Sequence, residues 1–193
     1  AMTQTWSRIA HGKLPHEAAA EAGDKATRLA VAGMVPPYAI PNWAVDHYPA
    51  DVGLPLGFMR GNAHLHGAFF TECFLDELAH LAGIEAMSFR IHMRGGNPRL
   101  AHCLSTAAAM GGWQGGIAGS GQGIAAHMMN GAYAAVMVEA GIEGSKLSVR
   151  RMVAAVDCGE QVNPDIARQQ IESGLIHGLA LAMGASVPYA GGM

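Results

Sequence analysis

Charged residues are scarce in this sequence. Only 14% of its 193 residues are Asp, Glu, Lys or Arg, and the formal net charge is −3. A nucleic-acid-binding surface needs clustered Lys and Arg, and the sequence has no such block. Half of the residues are hydrophobic, which excludes an intrinsically disordered chain and predicts a domain with a real core.

Cysteines and long apolar runs are also few. Cys73, Cys103 and Cys158 are odd in number and widely spaced, which excludes a disulfide framework and a CxxC zinc site. No apolar run reaches the about 20 residues of a membrane-spanning helix, and no basic-then-apolar leader is visible. We therefore expect no membrane span and a reducing compartment, cytoplasmic by default, with the periplasm as the alternative for a complete enzyme.

Helical signals are strongest at residues 66–82, which end at Gly83. The apolar residues that repeat there near helical spacing are Phe69, Cys73, Leu78 and Leu81. Shorter helices are predicted within 85–96 and 98–112. A last helix is predicted at 164–183, because Asn163 suits the N-cap, Pro164 the first turn and Asp165 the positive helix end.

Strand signals follow the third predicted helix. Residues 124–142 read as one or two strands, and 146–157 read as a strand that returns after the turn Glu143-Gly144-Ser145. A short strand is also predicted at 39–48. Helices and strands are mixed without regular βαβ alternation, so the predicted fold class is α+β, with helices 66–82 and 164–183 packed on the hairpin.

Two groups of polar residues are candidate metal or catalytic sites. His64 and His66 precede a row formed by Glu72, Asp76 and His80 on one helix face. The spacing fixes no complete ligand set, so a solvated polar face is the preferred interpretation and a metal site the alternative. Cys158 is interpreted in the same way as a buried, inert thiol rather than a nucleophile, because no partner signature accompanies it.

Two further patterns suggest contact with a ligand. Gly174 and Gly178 lie four residues apart on one face of the last helix, with Gln170 one turn earlier on the same row. Such glycines indicate close approach by a neighbouring element or by a ligand. Arg60 and Gly61 directly precede the strongest helix and could present a guanidinium group and backbone N–H groups to an anion; a solvated surface Arg is the alternative.

Two segments together resemble the large subunits of molybdenum hydroxylases, the xanthine dehydrogenase/aldehyde oxidase superfamily. One is GLPLGFMRG followed by AFFTECFLDELAHLAG, and the other is VRRMVAAVDCGEQVNPDIARQQIESGLIHGLALAMG. The branch they are most similar to is the isoquinoline 1-oxidoreductase β-subunit type, with its VDCG, VNPD and Q-x-E-G-G-I motifs. The residues that match these motifs are Asp157, Cys158, Gly159, Asn163, Pro164, Asp165, Gln170, Glu172 and Gly174. Ser173 stands where that branch usually has Gly.

The resemblance implies a molybdopterin-dependent oxidoreductase that hydroxylates aldehydes or N-heterocycles with water-derived oxygen. In that family a pyranopterin dithiolene holds the molybdenum, and the protein supplies hydrogen bonds, shape and a dry pocket. The resemblance places Arg60 and the Gly61 backbone near the molybdenum oxo ligands, and Gln170 and Gly174 near the pterin. It also implies two partners, the remainder of the large subunit and a small [2Fe-2S] subunit.

The family's catalytic Glu motif and half of its cofactor cradle are not found in this sequence. We therefore expect a partial molybdopterin-binding domain at residues 34–193, after a poorly matched segment at 1–33. We expect this chain to be inactive alone, to bind no molybdopterin by itself and to self-associate through apolar surface. Two alternatives are a non-catalytic binding or assembly module of the same fold and a metallohydrolase that uses His64 and His66.

Overall fold

Residues 32–42, 59–93, 97–115, 121–186 and 188 are described by the computed structural model of the chain. Within them it forms the helices α1 (Asn62–Leu81), α2 (Ala86–Met93), α3 (Pro98–Gly111) and α4 (Pro164–Ala182), and the strands β1 (Gln122–Met129), β2 (Ala132–Glu143) and β3 (Lys146–Asp157). Helices beside one antiparallel sheet confirm the predicted α+β class. The segment 1–31 and most of the strand predicted at 39–48 lie outside the described residues.

The sheet is a meander in the order β1-β2-β3, and both pairs of strands are antiparallel. Two-residue turns join the strands. Asn130 and Gly131 both have positive φ, 50° and 79°, as a type I′ turn requires, and Gly144 has φ 66°. The predicted pairing of 124–142 with 146–157 is confirmed for β2 and β3. The Asn130-Gly131 turn decides the open question of one strand or two, because it divides the first run into β1 and β2.

The core lies between α3 and the inner face of the sheet. The buried residues that meet there include Leu100, Leu104 and Ala107 of α3 and Ile124, Ala126, Ala135 and Met137 of the strands. The helix α3 packs against all three strands, whereas α1 contacts β1 at the edge of the sheet. The helix that covers the sheet is therefore α3, which sequence analysis did not assign to that position.

The buried face of α1 differs from the face that its large apolar residues suggest. Its buried residues are Ala63, Gly67, Glu72, Leu75 and Ala79. By contrast, Phe69 is 63% exposed and Leu81 is 81% exposed. The predicted helix is confirmed, but small side chains that allow close packing form its contact face, and aromatic side chains point away from it.

The chain divides into two compact units, the first ending at Asp157 and the second beginning at Cys158. In the second unit, the Asn163 side chain accepts the Ile166 N–H at 3.1 Å, Pro164 follows in the first turn and Asp165 supplies an acidic group there. These features confirm the predicted start of α4. The predicted packing of that helix on the hairpin stays a prediction. No described helix is long and apolar enough to cross a membrane.

Candidate functional site

The start of α1 is a helix N-terminus without a side-chain cap. Gly61 stands at the N-cap position with φ 84°, no side chain there accepts a backbone N–H, and no acidic residue lies in the first turn. The first N–H groups of a helix lack internal partners and carry partial positive charge. Arg60 is exposed directly before them. This turn therefore concentrates hydrogen-bond donors and positive charge, which suits an anionic or oxo group.

The start of α4 has the opposite character. The Asn163 cap occupies one amide and Asp165 adds negative charge, so an anion is disfavoured at this end. Further along α4, Gln170 is exposed and Gly174 is half-buried. A Cβ added at Gly178 would meet no described atom within 4 Å. Among the described residues, tight packing therefore does not account for the glycine at that position.

The four predicted cofactor contacts fall in different units. Arg60 and Gly61 belong to the first unit, and Gln170 and Gly174 belong to the second. Arg60 and Gly61 offer hydrogen-bond donors in the first unit. Gln170 and Gly174 offer a polar side chain and a small residue in the second unit. Their roles toward a cofactor stay predictions.

His64 makes a contact that sequence analysis did not find. Its Nδ1 lies 2.9 Å from Nε2 of His127 on β1, and the two rings meet edge to face. Burial lowers the pKa of both rings, that of His127 to about 4, with the His64 ring as a second cause for His127. His66 instead faces Phe70, and its buried Nδ1 has no hydrogen-bond partner.

His64 and His66, the two histidines proposed as metal ligands, therefore face different neighbours, His127 and Phe70. Among the residues that the structure describes, no three His, Cys, Asp or Glu side chains form a group that could hold a metal ion. The metallohydrolase alternative thus finds no ligand set in that part of the chain.

One member of the row Glu72, Asp76 and His80 differs from the interpretation of the row as a solvated face. That interpretation is wrong for Glu72, which is buried. Its Oε2 accepts hydrogen bonds from Nε of Arg90 and from the Ala126 N–H, both at 2.9 Å. Asp76 accepts a second Arg90 bond at 2.6 Å. Glu72 and Asp76 thus form an ion-pair cluster with Arg90 that joins α1 to α2. Glu72 also ties α1 to the edge strand β1. His80, the third member of the row, is exposed.

Burial and the neighbouring charges act in opposite directions on the pKa values of Glu72 and Arg90. Burial raises the pKa of Glu72, and the nearby Arg90 charge opposes that shift. For Arg90, burial would lower the pKa, but the carboxylates of Glu72 and Asp76 outweigh it and raise the pKa well above its usual value. Burial and the negative charge of Glu72 likewise raise the pKa of the Tyr38 hydroxyl far above its usual range. The two carboxylate partners therefore hold Arg90 in its charged form, and the cluster has a structural role.

The end of β3 carries a second ion pair that the sequence did not reveal. Arg99 donates from Nε to Oδ2 of Asp157 and from Nη2 to Oδ1, both at 2.7 Å. Its guanidinium carbon lies 4.4 Å from the centre of the Tyr133 ring. The hydrogen bonds to Asp157, followed by the carboxylate charge, raise the pKa of Arg99 above its usual value, with burial opposing them.

The residue after Asp157 corrects another expectation. Cys158 is exposed rather than buried, and it forms no disulfide. The strand β3 ends at Asp157, directly before this residue, and the chain has positive φ at Gly159. A free, exposed thiol thus begins the turn that leads to α4.

An apolar cavity of about 310 Å³ lies between α1 and the strands β1 and β2. The residues that line it include Ala68, Phe69, Ala125, His127, Ala134 and Val136. The Nδ1 atom of His127 and the Oε1 atom of Glu72 are buried and have no hydrogen-bond partner. Solvent does not reach those two atoms, and most of the residues that line the cavity are apolar.

Comparison with known proteins finds a family and a relative that are similar to this chain. Residues 99–192 match the molybdopterin cofactor-binding domain family, a stretch that holds the sheet, α4 and nearly all of α3. Over 169 residues the chain is 30% identical to the isoquinoline 1-oxidoreductase subunit beta of Brevundimonas diminuta. That alignment covers 84% of this chain and 22% of the relative, so the chain spans about a fifth of that relative's length. By its family match, its α+β architecture and its VDCG and VNPD motifs, this chain belongs to the molybdenum hydroxylase type of molybdopterin-binding proteins.

Proposed function

We propose that this chain forms part of the cofactor site of an oxidoreductase that hydroxylates aldehydes or N-heterocycles with water-derived oxygen. The observation that carries the proposal is the molybdopterin-binding family match over residues 99–192, which includes the strand, turn and helix from Lys146 to Ala182. In this proposal the chain works with the remainder of a larger subunit and with a small [2Fe-2S] subunit. Alone, it turns over no substrate.

The residues at the start of α1 fit such a cofactor. Its first turn has neither a side-chain cap nor an acidic residue, which favours a group rich in negatively charged oxygen. The Asn62 N–H already donates to the Met59 carbonyl, so the donors for such a group lie beside it. A bound molybdenum–pyranopterin cofactor would supply the oxygen-transfer and redox chemistry. The protein would supply preorganised donors, which act most strongly where water is excluded.

Each predicted site residue then has a defined task. Arg60 and the Gly61 backbone N–H stabilise negative charge near the start of α1. Gln170 contributes an amide that can donate and accept hydrogen bonds, and Gly174 leaves the helix surface open beside it. None of these residues is a general base, so the proton-transfer group belongs to another part of the larger subunit.

The test uses the complete larger subunit assembled with its iron–sulfur partner. Turnover of aldehydes and N-heterocycles is measured with an artificial electron acceptor, together with molybdenum and pterin content. We expect Arg60→Ala to lower kcat by about 10²-fold, the usual cost of removing one preorganised donor. The kcat of Arg60→Lys should lie between that of Arg60→Ala and that of the wild type. Lys146→Ala, at the hairpin between β2 and β3, should have the kcat of the wild type.

Three results would contradict the proposal at different points. An assembly that lacks molybdenum and pterin would overturn the proposed function. An active assembly that is indifferent to Arg60→Ala would overturn the site assignment and leave the function in place. Turnover by the 193-residue chain alone would overturn the claim that it holds only part of the site.

A further inference from the structure

Arg99 connects the start of α3 to the last residue of β3. Its Nε and Nη2 atoms bind the two carboxylate oxygens of Asp157 at 2.7 Å each. The same Nη2 also lies 3.5 Å from the Asp157 carbonyl oxygen. The guanidinium group thus contacts both the side chain and the backbone of a single residue. Such a bidentate pair restricts orientation as well as distance.

Two neighbouring contacts hold this arrangement in place. Tyr133 is the residue paired with Asp157 across the sheet, and its ring lies against the Arg99 guanidinium. One helical turn after Arg99, the Cys103 thiol donates to the Tyr133 carbonyl at 3.6 Å. The first turns of α3 therefore bind β2 and β3 at one end of the sheet.

Asp157 occupies a special position in the chain. It is the last residue of β3 and the last residue of the first compact unit. The exposed turn from Cys158 to Val162 begins immediately after it. Asp157 is also the Asp of the VDCG motif, and the family match begins at Arg99. Both partners of this ion pair are thus within the matched region.

We propose that Arg99 is a positioning residue that fixes Asp157 and thereby the point from which the turn 158–162 leaves the sheet. This inference rests on the proposed function, because that turn leads to the helix predicted to contact the cofactor. Arg99 itself is not assigned any contact with cofactor or substrate. It acts through Asp157.

Because the Arg99–Asp157 pair is partly exposed, its effect on position can be measured apart from its effect on global stability. The side chains of Arg99 and Asp157 are 42% and 36% exposed, so solvent screens their attraction. Their loss should therefore affect the global stability only slightly. The fork of a guanidinium group is rigid and planar, whereas a lysine ammonium is a point charge on a flexible stem. Arg99→Lys thus keeps the charge and removes the geometric constraint.

The first measurement uses the 193-residue chain and needs no cofactor. Backbone NMR order parameters at residues 157–159 are compared for wild type, Arg99→Lys and Asp157→Asn. We expect values to fall from the rigid level of about 0.85 toward 0.6 in both variants. Values in the Asn130-Gly131 and Gly144-Ser145 turns should not change. Arg151→Lys is the matched control, because Arg151 lies on the same sheet and binds Glu139 and the Gly111 carbonyl of α3. It should leave residues 157–159 rigid.

The second measurement uses the complete assembly. We expect Arg99→Lys to reduce the molybdopterin content or kcat about tenfold, with an unchanged melting temperature, because small misplacement at a preorganised site is costly. Asp157→Asn should reproduce the effect, and the double variant should add nothing further.

The outcomes are distinct. Unchanged order parameters at 157–159 in Arg99→Lys would overturn the positioning role, and so would a loss of rigidity spread equally over both hairpin turns. A loaded assembly in which both variants equal the wild type would overturn the link to the cofactor. A wild-type assembly without molybdenum would overturn the proposed function and that link with it, while the order parameters would still decide whether Arg99 fixes Asp157.

Discussion

At the scale of single residues, the facing nitrogens of His64 and His127 leave space for one hydrogen between them. Burial keeps both rings neutral near neutral pH, since it lowers their pKa values, that of His127 to about 4. In the unfolded chain a histidine titrates near 6.5. The neutral histidine pair therefore contributes its full stability to the folded state above pH 6.5, and this contribution is lost as the pH falls from 6.5 toward 4.

We predict that the free energy of unfolding falls by about 2 kcal/mol between pH 7.5 and pH 4.5 through His127 alone. The full shift corresponds to ~3 kcal/mol, and partial exposure of the ring reduces it. Urea unfolding at the two pH values checks this. His127→Gln, which cannot titrate, should remove that part of the pH dependence.

His80→Gln changes an exposed histidine on α1, the helix that carries His64, and serves as the control. It should keep the pH dependence of the wild type. If His127→Gln kept it as well, the histidine pair would not be the source of the acid sensitivity.

At the scale of elements, Glu72 and Arg90 join α1, α2 and β1. Glu72→Gln would leave the buried guanidinium without its buried counter-charge. We predict a loss of about 3–5 kcal/mol in the free energy of unfolding, the usual cost of breaking a buried ion pair from one side. Denaturant unfolding measures it.

Asp76→Asn provides the matched comparison, because Asp76 binds the same arginine but is half exposed. It should cost at most about 1 kcal/mol. Equal losses for the two variants would mean that burial does not determine how strongly these partners hold Arg90.

The entry to β1 gives a second prediction about an element. Gly121 has φ 65°, its carbonyl accepts the Ala140 N–H at 2.8 Å, and a Cβ there would collide with the Ala140 carbonyl oxygen. Gly121→Ala should therefore lower the stability by at least about 2 kcal/mol and the melting temperature by at least about 5 °C.

Gly123→Ala, two residues later and within β1, is the control. A Cβ at Gly123 meets nothing within 4 Å, so its melting temperature should stay close to that of the wild type. A similar loss at both positions would show that the cost is a general property of the strand rather than of the Ala140 contact.

Elements could be predicted from the sequence where the signal was local. The Asn163 cap and the turn at Gly144 lie within a few residues of the boundaries they set. The contacts between elements could not be predicted in the same way. Glu72 and Arg90 are 18 residues apart, and Arg99 and Asp157 are 58 apart. Their pairing depends on how α2 and α3 pack, which no periodicity encodes.

The candidate site shows the same division. Sequence analysis places Arg60 and Gly61 before the helix predicted at 66–82. The helix is observed, but it begins at Asn62, so Gly61 stands at its N-cap position. The partner of His64 could not be found, because His127 lies on a strand 63 residues later. Burial of Glu72 was missed for a similar reason. A carboxylate on a polar helix face can be buried when a guanidinium group and a backbone N–H donate hydrogen bonds to it, as Arg90 and Ala126 do to Glu72.

At the scale of the whole molecule, α1 presents an apolar surface made of large side chains. Its exposed members are Phe69, Phe70, Phe74 and Leu81. A patch of this kind commonly drives association. We predict that the 193-residue chain self-associates, and that the double variant Phe69→Ser, Phe74→Ser shifts it toward the monomer in sedimentation velocity.

Ile142→Ser with Leu147→Ser is the control for that prediction. These residues are also exposed, but they lie at the hairpin between β2 and β3. The control should associate like the wild type. A wild-type chain that remained monomeric at high concentration would show that the aromatic surface of α1 is not sufficient for association.

The meander has a consequence for the order of folding. Each strand pairs with the next one in sequence through a turn of two residues, so closing these loops costs little chain entropy. Contacts between residues close in sequence also form fastest. During synthesis, α3 and all three strands are complete once the ribosome has passed Asp157. The sheet and the helix that covers it can therefore assemble before α4, which is synthesised later, has left the ribosome.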